Sequence, residues 1–580
     1  MSKLNIDQQT ILQLFSDKKS DFLIPDYQRP YAWDETECQT LWDDIYTFSF
    51  PNDDYSQFDD DNDEYFLGPI VTFKNDKGKL EIIDGQQRLT TLMLLLRAFY
   101  SKFISMKDQN SVNTKDLISK CIWKTDTFGN LKTDELKIDS EVSSDDDKEE
   151  FLDILLKGAA PDNYKSKYAE NYRFFEKKIN EFINSAPMYC AYLPARIMNN
   201  CILLPIEAEN QDIALRIFST LNDRGKPLSD SDIFKAQFYK YYSDKGEKDD
   251  FIKRWKDLES KCDKIFNPQN GTPMDDLFTR YMYYERAKQG NRSTTTEALR
   301  KFYEKDKYVL LKNDDTLTNL ELLANFWEMV ANQDDSFFSK EVLRKLFVLK
   351  YAPNGMWEFL TSVYYMANKD ANGKLDNDKL YKFLDVTTAF VFAYSFIVPG
   401  VNALRTPVYP EMISIVNGNE ISFDSFKFSE GDLRNAMSFY TFGNQRPITK
   451  SILTWWAFNN PNQEILPWNE QLEIEHIYAK KRQEFEKGLT DKSSLESIGN
   501  KVLLEKRINI RASDYKFEDK KKYYKGYTTD KGTKKEATKI VELLDLANNT
   551  NDFEESNIVD RKSTIIDNFI SYIKGNNLIS

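Results

Sequence analysis

Over the first 245 residues the apolar positions switch between two periods. Residues 5–16 repeat Ile6, Ile11, Leu12 and Phe15 at helical spacing, and residues 35–46 do the same with Leu41, Trp42 and Ile45. Between them, residues 22–25 form a short extended run. Residues 70–73 and 80–83 are apolar or β-branched and flank Asn75-Asp76-Lys77-Gly78, which predicts a β-hairpin. The second strand ends at Asp84-Gly85, and a long helix begins near Leu89. Residues 202–206 predict another strand. Two acidic stretches read as solvated loops: 53–64, with Asp53, Asp54, Asp59, Asp60, Asp61, Asp63 and Glu64, and 136–150.

From 246 to 440 the period is helical throughout, carried by residues such as Phe251, Trp255, Leu258, Phe266, Leu277 and Tyr281. The longest apolar stretches, 89–100 and 386–401, are broken by polar residues and read as buried helices too short to span a bilayer comfortably. Helices at 452–458 and 562–574 bracket the last domain. The pattern predicts an α+β multidomain chain: a mixed α/β domain at 1–245, a helical middle region at 246–440 and a C-terminal domain at 441–580.

Composition sharpens this picture. The apolar fraction is 41% with Phe 40, Tyr 32 and Trp 9, enough for large cores and against disorder. Cys38, Cys121, Cys190, Cys201 and Cys262 show no C-x-x-C spacing and read as reduced core residues. The N-terminus has no apolar signal core, so a cytoplasmic protein without membrane association is expected. The net charge of −14 requires any nucleic-acid surface to gather its cations locally. Residues 471–540 do so, with 18 Lys/Arg against 12 Asp/Glu.

The chain has one histidine, His476, in Glu475-His476-Ile477. A lone histidine excludes His-rich metal clusters and two-histidine catalysis. Downstream come Asn500, in Ile498-Gly499-Asn500, and Asn509. Phosphodiester hydrolysis needs a base for water and neutralisation of developing charge. Histidine suits the first task because its pKa lies near neutrality. Mg²⁺ or Mn²⁺ suits the second and can be held by one carboxylate and one amide oxygen, which Glu475 and Asn509 can supply. On a strand, adjacent Glu475 and His476 share a site only where the strand twists or ends. Lys480, Lys481, Arg482, Lys501, Lys506, Arg507 and Arg511 surround this motif and suit phosphates; a solvated lysine face is the alternative.

Two N-terminal segments also stand out, Ile24-Pro25-Asp26-Tyr27-Gln28-Arg29-Pro30-Tyr31-Ala32-Trp33 and Ile82-Ile83-Asp84-Gly85-Gln86-Gln87-Arg88-Leu89. The second reads as strand, tight turn and helix, and a helix N-terminus there favours phosphate. Arg88 can add a bidentate contact; Asp84 can hold a cation, orient water or simply cap the helix. A third segment, 217–229, contains Asn222-Asp223-Arg224-Gly225-Lys226. No Walker A pattern occurs.

Taken together, these motifs resemble the GmrSD-type modification-dependent (type IV) restriction endonucleases. The C-terminal set is Glu-His-Ile, Ile-Gly-Asn-x-x-Leu-Leu, Asn509 and a tail of Ser513, Phe517, Lys520 and Tyr524. The N-terminal set is the Asp-Gly-Gln-Gln-Arg motif with its two companion segments. The resemblance implies a ParB/sulfiredoxin-like N-terminal fold and a ββα-metal HNH (His-Me finger) C-terminal fold. It implies His476 as general base, Asn500 bracing its loop, and Glu475 and Asn509 as metal ligands. It further implies a site for a nucleoside triphosphate (GTP, UTP, CTP or ATP, left open) at Asp84, Gly85, Gln86, Gln87 and Arg88, with Gln28, Arg29 and Arg224 as neighbours. The expected activity is NTP- and metal-dependent cleavage of double-stranded DNA, above all modified phage DNA. Two departures, Glu475 where HNH domains more often carry Asp and Ala479 where the family carries Pro, keep open an NTP-switched binding module with an inactive HNH fold. RNA is a third substrate class. A single HNH site cuts one strand per event, so a double-strand break calls for a homodimer or two visits.

Overall fold

The computed structural model describes residues 5–6, 8–51, 55, 63–142, 145–211, 213–214, 217, 229–268, 270–400, 402–486, 488–512 and 516–580. The chain divides into two compact units, 1–257 and 258–580. The architecture is α+β and multidomain, with a mixed sheet in the N-terminal unit.

Among the described residues the N-terminal sheet has seven strands. In spatial order they are Asn5–Ile6, Cys201–Ala208, Tyr65–Lys74, Leu80–Asp84, Phe22–Ile24 and Ile138–Ser140, with Gln9–Thr10 also paired to Cys201–Ala208. Tyr65–Lys74 and Leu80–Asp84 form the expected antiparallel hairpin. Phe22–Ile24 runs parallel to both Leu80–Asp84 and Ile138–Ser140. The helix Gln86–Phe103 leaves the sheet directly after Asp84 and is the hub of the core. Its Leu89, Leu92, Met93, Leu94, Leu95, Leu96 and Phe99 are all fully buried. A helix apolar on every side is an interior helix, as the unbroken run at 92–96 shows.

Two local readings change. The helix expected over 5–16 is confined to Ile11–Ser16, because Thr10 accepts from Gln13 N in a capping box and Gln9–Thr10 pairs with the sheet instead. The stretch 136–150, read as a loop, contributes the edge strand Ile138–Ser140, with Ile138 buried, and the start of the helix Lys148–Lys157. The acidic loop lies largely outside the described residues, as do Arg224 and its segment 218–228. Ser229 caps the next helix, Asp230–Asp244, in a capping box with Asp232.

The C-terminal unit is mainly helical. The apolar stretch near 386 lies in the helix Asn377–Ile397, which is long and apolar enough to cross a membrane, and 67% of its most apolar window is buried in the protein. A two-stranded antiparallel hairpin carries the histidine: Leu472–His476 pairs with Lys501–Glu505, placing His476 opposite Lys501 and Glu475 opposite Val502. The helix Lys506–Ala512 follows the second strand immediately. The helices Pro447–Phe458 and Glu555–Gly575 pack around this hairpin and the turn before it.

Candidate functional site

The loop after His476 is held by one residue. Asn500 is fully buried. Its Oδ1 accepts from Tyr478 N at 2.7 Å, and its Nδ2 donates to Tyr478 O at 3.1 Å and Leu495 O at 3.0 Å. Its carbonyl accepts from Ile477 N at 2.9 Å. An amide side chain thus takes the place of a paired strand and fixes the backbone two residues past the imidazole. The turn carrying Asn500 is pinned in its own right. A Cβ on Gly499 would meet Ile558 O at 2.0 Å, so only glycine lets Glu555–Gly575 approach. From that helix Arg561 Nη1 donates to the carbonyls of Ile498, Gly499 and Lys501 at 3.0, 3.0 and 2.7 Å.

His476 sits at the strand end with its side chain only 11% exposed. Lys501 Nζ lies 2.7 Å from Nε2, and Glu496 Oε1 lies 3.1 Å from it. Lys501 also donates to Asn444 Oδ1 at 2.6 Å and Glu496 Oε2 at 2.6 Å, which uses all three ammonium protons. Burial and the neighbouring Lys501 charge push the imidazole pKa down to about 4 against the opposing pull of Glu496, so the ring is neutral at pH 7. An ammonium can only donate, so Nε2 is the acceptor and the ring proton resides on Nδ1. Burial raises Glu496, but its bond to Lys501 and the charge of that residue outweigh burial and hold its pKa below the ordinary carboxylate value.

The expected metal ligands go elsewhere. Glu475, 7% exposed, accepts at Oε1 from Lys520 Nζ at 2.5 Å and Tyr524 OH at 3.2 Å. The same ammonium donates to His476 O at 2.6 Å. Asn509 Nδ2 donates to Glu473 Oε2 at 2.8 Å. Glu475 and Asn509 thus hydrogen-bond to different residues. In this arrangement they do not fit a divalent ion, because the cationic position beside Glu475 is filled by Lys520.

The expected phosphate contacts divide into two groups. Lys480 and Lys481 are exposed, with Lys480 Nζ 3.3 Å from Glu496 Oε1. Arg507 is half-exposed and paired with Glu536 at 2.9 Å; Arg511 Nε donates to Arg507 O at 3.1 Å. Arg482 is bound to Glu486 and, through two nitrogens, to Asp552. Lys501 is wholly interior. These last two therefore act within the protein. Sequence reasoning gave no role to Glu496 and Asn444, which no spacing signals, or to Lys520 and Tyr524, which it registered only as parts of the tail.

In the N-terminal unit the two motif segments form one piece. Gln28 Nε2 donates to the carbonyls of Ile82 and Ile83, both at 3.2 Å. Gln87 Oε1 accepts from Ala32 N at 2.7 Å and Trp33 N at 3.3 Å, and its Nε2 donates to Pro30 O at 3.2 Å. Gln86 Nε2 donates to Arg29 O at 3.3 Å. Three glutamines thus staple the loop at 28–33 across the start of Gln86–Phe103. Gly85 makes the turn at φ +92°, where a Cβ would sit 3.3 Å from Ile70.

Some binding capacity remains at this turn. No side chain caps the helix. Gln86 Oε1 has no hydrogen-bond partner among the described residues although the residue is 6% exposed. Arg88 Nη1 donates to Pro69 O at 3.0 Å, and its guanidinium lies over Gly68. Burial pulls the Arg88 pKa down and Asp84 opposes it; burial pushes Asp84 up, against the Gly85 N–H and the charges of Arg88 and Arg29. An uncapped helix end beside a buried arginine is suited to an anion.

The two ends match known families in this same order. The family described as GmrSD restriction endonuclease, N-terminal domain, matches residues 11–239. The family described as GmrSD restriction endonucleases, C-terminal domain, matches residues 430–568. No curated protein matches the chain. With these two domains spanning most of its length, the chain belongs to the GmrSD restriction endonuclease family, whose substrate is DNA.

Proposed function

We propose that the C-terminal unit is an HNH-type nuclease centre with His476 as general base, and that the Asp84–Arg88 turn of a ParB-like N-terminal domain binds and hydrolyses a nucleoside triphosphate that governs cutting. The observation that carries the nuclease reading is the Asn500 clamp on Tyr478, which holds a neutral, proton-accepting imidazole at the end of a hairpin followed directly by a helix. In this reading the base takes a proton from water at Nε2. Lys501 occupies that lone pair, so it must first let go. An incoming phosphate supplies a competing acceptor for the ammonium, and Glu496 keeps hold of Lys501 as it shifts. Lys480, Lys481, Arg507 and Arg511 line the approach for the DNA backbone.

A divalent cation, Mg²⁺ or Mn²⁺, remains part of the proposal as a requirement of the reaction. With Glu475 held by Lys520, no step is assigned to it. The substrate in this reading is modified phage DNA in the cytoplasm, with a homodimer delivering double-strand breaks. The same lysines favour a second reading, an NTP-switched DNA-binding module whose nuclease centre is permanently silenced. Digestion of modified and unmodified phage genomes, with and without each NTP and with Mg²⁺ or Mn²⁺, separates them. The first reading predicts NTP-dependent cutting of one genome class. Absence of cutting under every condition, with DNA still bound, supports the second.

A further inference from the structure

A cavity of about 580 Å³ opens beside the histidine cluster, between the helix Glu430–Phe439, residues 491–497 and the helix Glu555–Gly575. Glu496 belongs to both. It lines this cavity, and its Oε1 lies 3.1 Å from His476 Nε2. Anything that enters is therefore one side chain away from the candidate base.

The lining is unusual for a surface hollow. Phe439, the last residue of its helix, is 87% exposed, and Val559 across from it is 51% exposed. Phe439 and Val559 thus present apolar surface to solvent beside a polar cavity. Ile566 gives a buried apolar wall, and the exposed Thr441 and Ser563 add hydroxyls to the lining. Cations mark the rim: Lys562 donates to Ser438 O at 2.7 Å, and Arg434 pairs with Asp567 at 2.5 Å. An aromatic face, hydroxyls able to donate or accept, carboxylates that accept from amino groups and nearby cations match one nucleobase with its phosphate. The volume is ample for one nucleotide.

We propose that this cavity receives a single nucleotide of the DNA, turned out of the duplex and stacked on Phe439, next to the bond to be cut. The proposal rests on the nuclease reading of His476. A base enters a protein pocket only by leaving the duplex stack, and stacking on an aromatic offsets the lost base stacking. The cavity is then where base identity or modification is read.

The test uses the full-length chain carrying His476→Ala and a short duplex with one 2-aminopurine opposite an abasic site, a base that leaves the stack easily. Binding should raise 2-aminopurine emission several-fold. Adding Phe439→Ala, or Ser563→Trp to fill the cavity from an exposed position, should abolish that rise and weaken binding roughly 5- to 100-fold. Phe485→Ala, at an aromatic that is 80% exposed and lies outside the cavity, should leave the rise intact. An unchanged rise in both cavity variants, or no rise in the parent, overturns the proposal. Plasmid cutting by the His476→Ala chain would instead sink the nuclease reading, which this emission signal does not depend on.

Discussion

The two motif regions differ in what they leave unsatisfied. At the Asp84–Arg88 turn the glutamines use their groups to hold a loop, yet the helix end is uncapped and Gln86 Oε1 has no partner among the described residues. At the histidine hairpin the reverse holds. Lys501 occupies the imidazole lone pair, and Lys520 occupies the Glu475 carboxylate. The first region leaves a helix end and a buried amide oxygen open. The second holds His476 in a hydrogen bond from Lys501 and Glu475 in an ion pair with Lys520. Unpaired buried polar atoms are costly, so a group left open is informative. Saturated buried ion pairs are costly to break from one side, so they can act as latches.

The sharpest way to break this contrast is His476→Ala. Removing the base should lower DNA cleavage by about 10²- to 10⁴-fold while leaving nucleotide hydrolysis near wild type. Cleavage at the wild-type rate would remove the hairpin from the chemistry. Asn500→Ala comes next. It leaves Tyr478 and Leu495 backbone groups unpaired in the interior, at a cost of about 1–3 kcal/mol in thermal unfolding, and displaces the loop, for which a loss of roughly 10²-fold in cleavage is expected. A variant that cuts normally would show that the clamp does not position the base. Arg88→Ala should weaken nucleotide binding about tenfold or more, as for a lost charge-assisted hydrogen bond, measured by calorimetry with each NTP. Unchanged affinity would mean that the open helix end has another use.

Parts of this were legible in the sequence because local rules governed them. The hairpin around Asn75–Gly78 follows from two apolar or β-branched runs and the turn residues between them, and the Asp84-Gly85 break from the need for a left-handed glycine. The helix start at Ile11 was missed because Thr10 and Gln13 form a cap that periodicity ignores. Ile138–Ser140 was missed because three residues cannot show a period. At the candidate site the brace at Asn500 is implied by the family resemblance. The lysines did not announce themselves. A sequence gives the charge of Lys501 and Lys520, and charge reads as surface; only the packing of Asn444, Glu496 and the Glu555–Gly575 helix makes the 501 position interior. Glu475 and Asn509 likewise read as partners from their motif, while the strand and its register hand them to Lys520 and Glu473.

The latch at His476 can be observed directly, because a single histidine in 580 residues gives one imidazole signal in a histidine-labelled protein. A titration by NMR of the chain without DNA should show the ring neutral, with its proton on Nδ1, down to a midpoint near pH 4. Since burial and Lys501 lower that midpoint, Lys501→Met should move it upward, toward the ordinary value of about 6.5. A wild-type midpoint near 6.5 with the proton on Nε2, unmoved by Lys501→Met, would contradict the account.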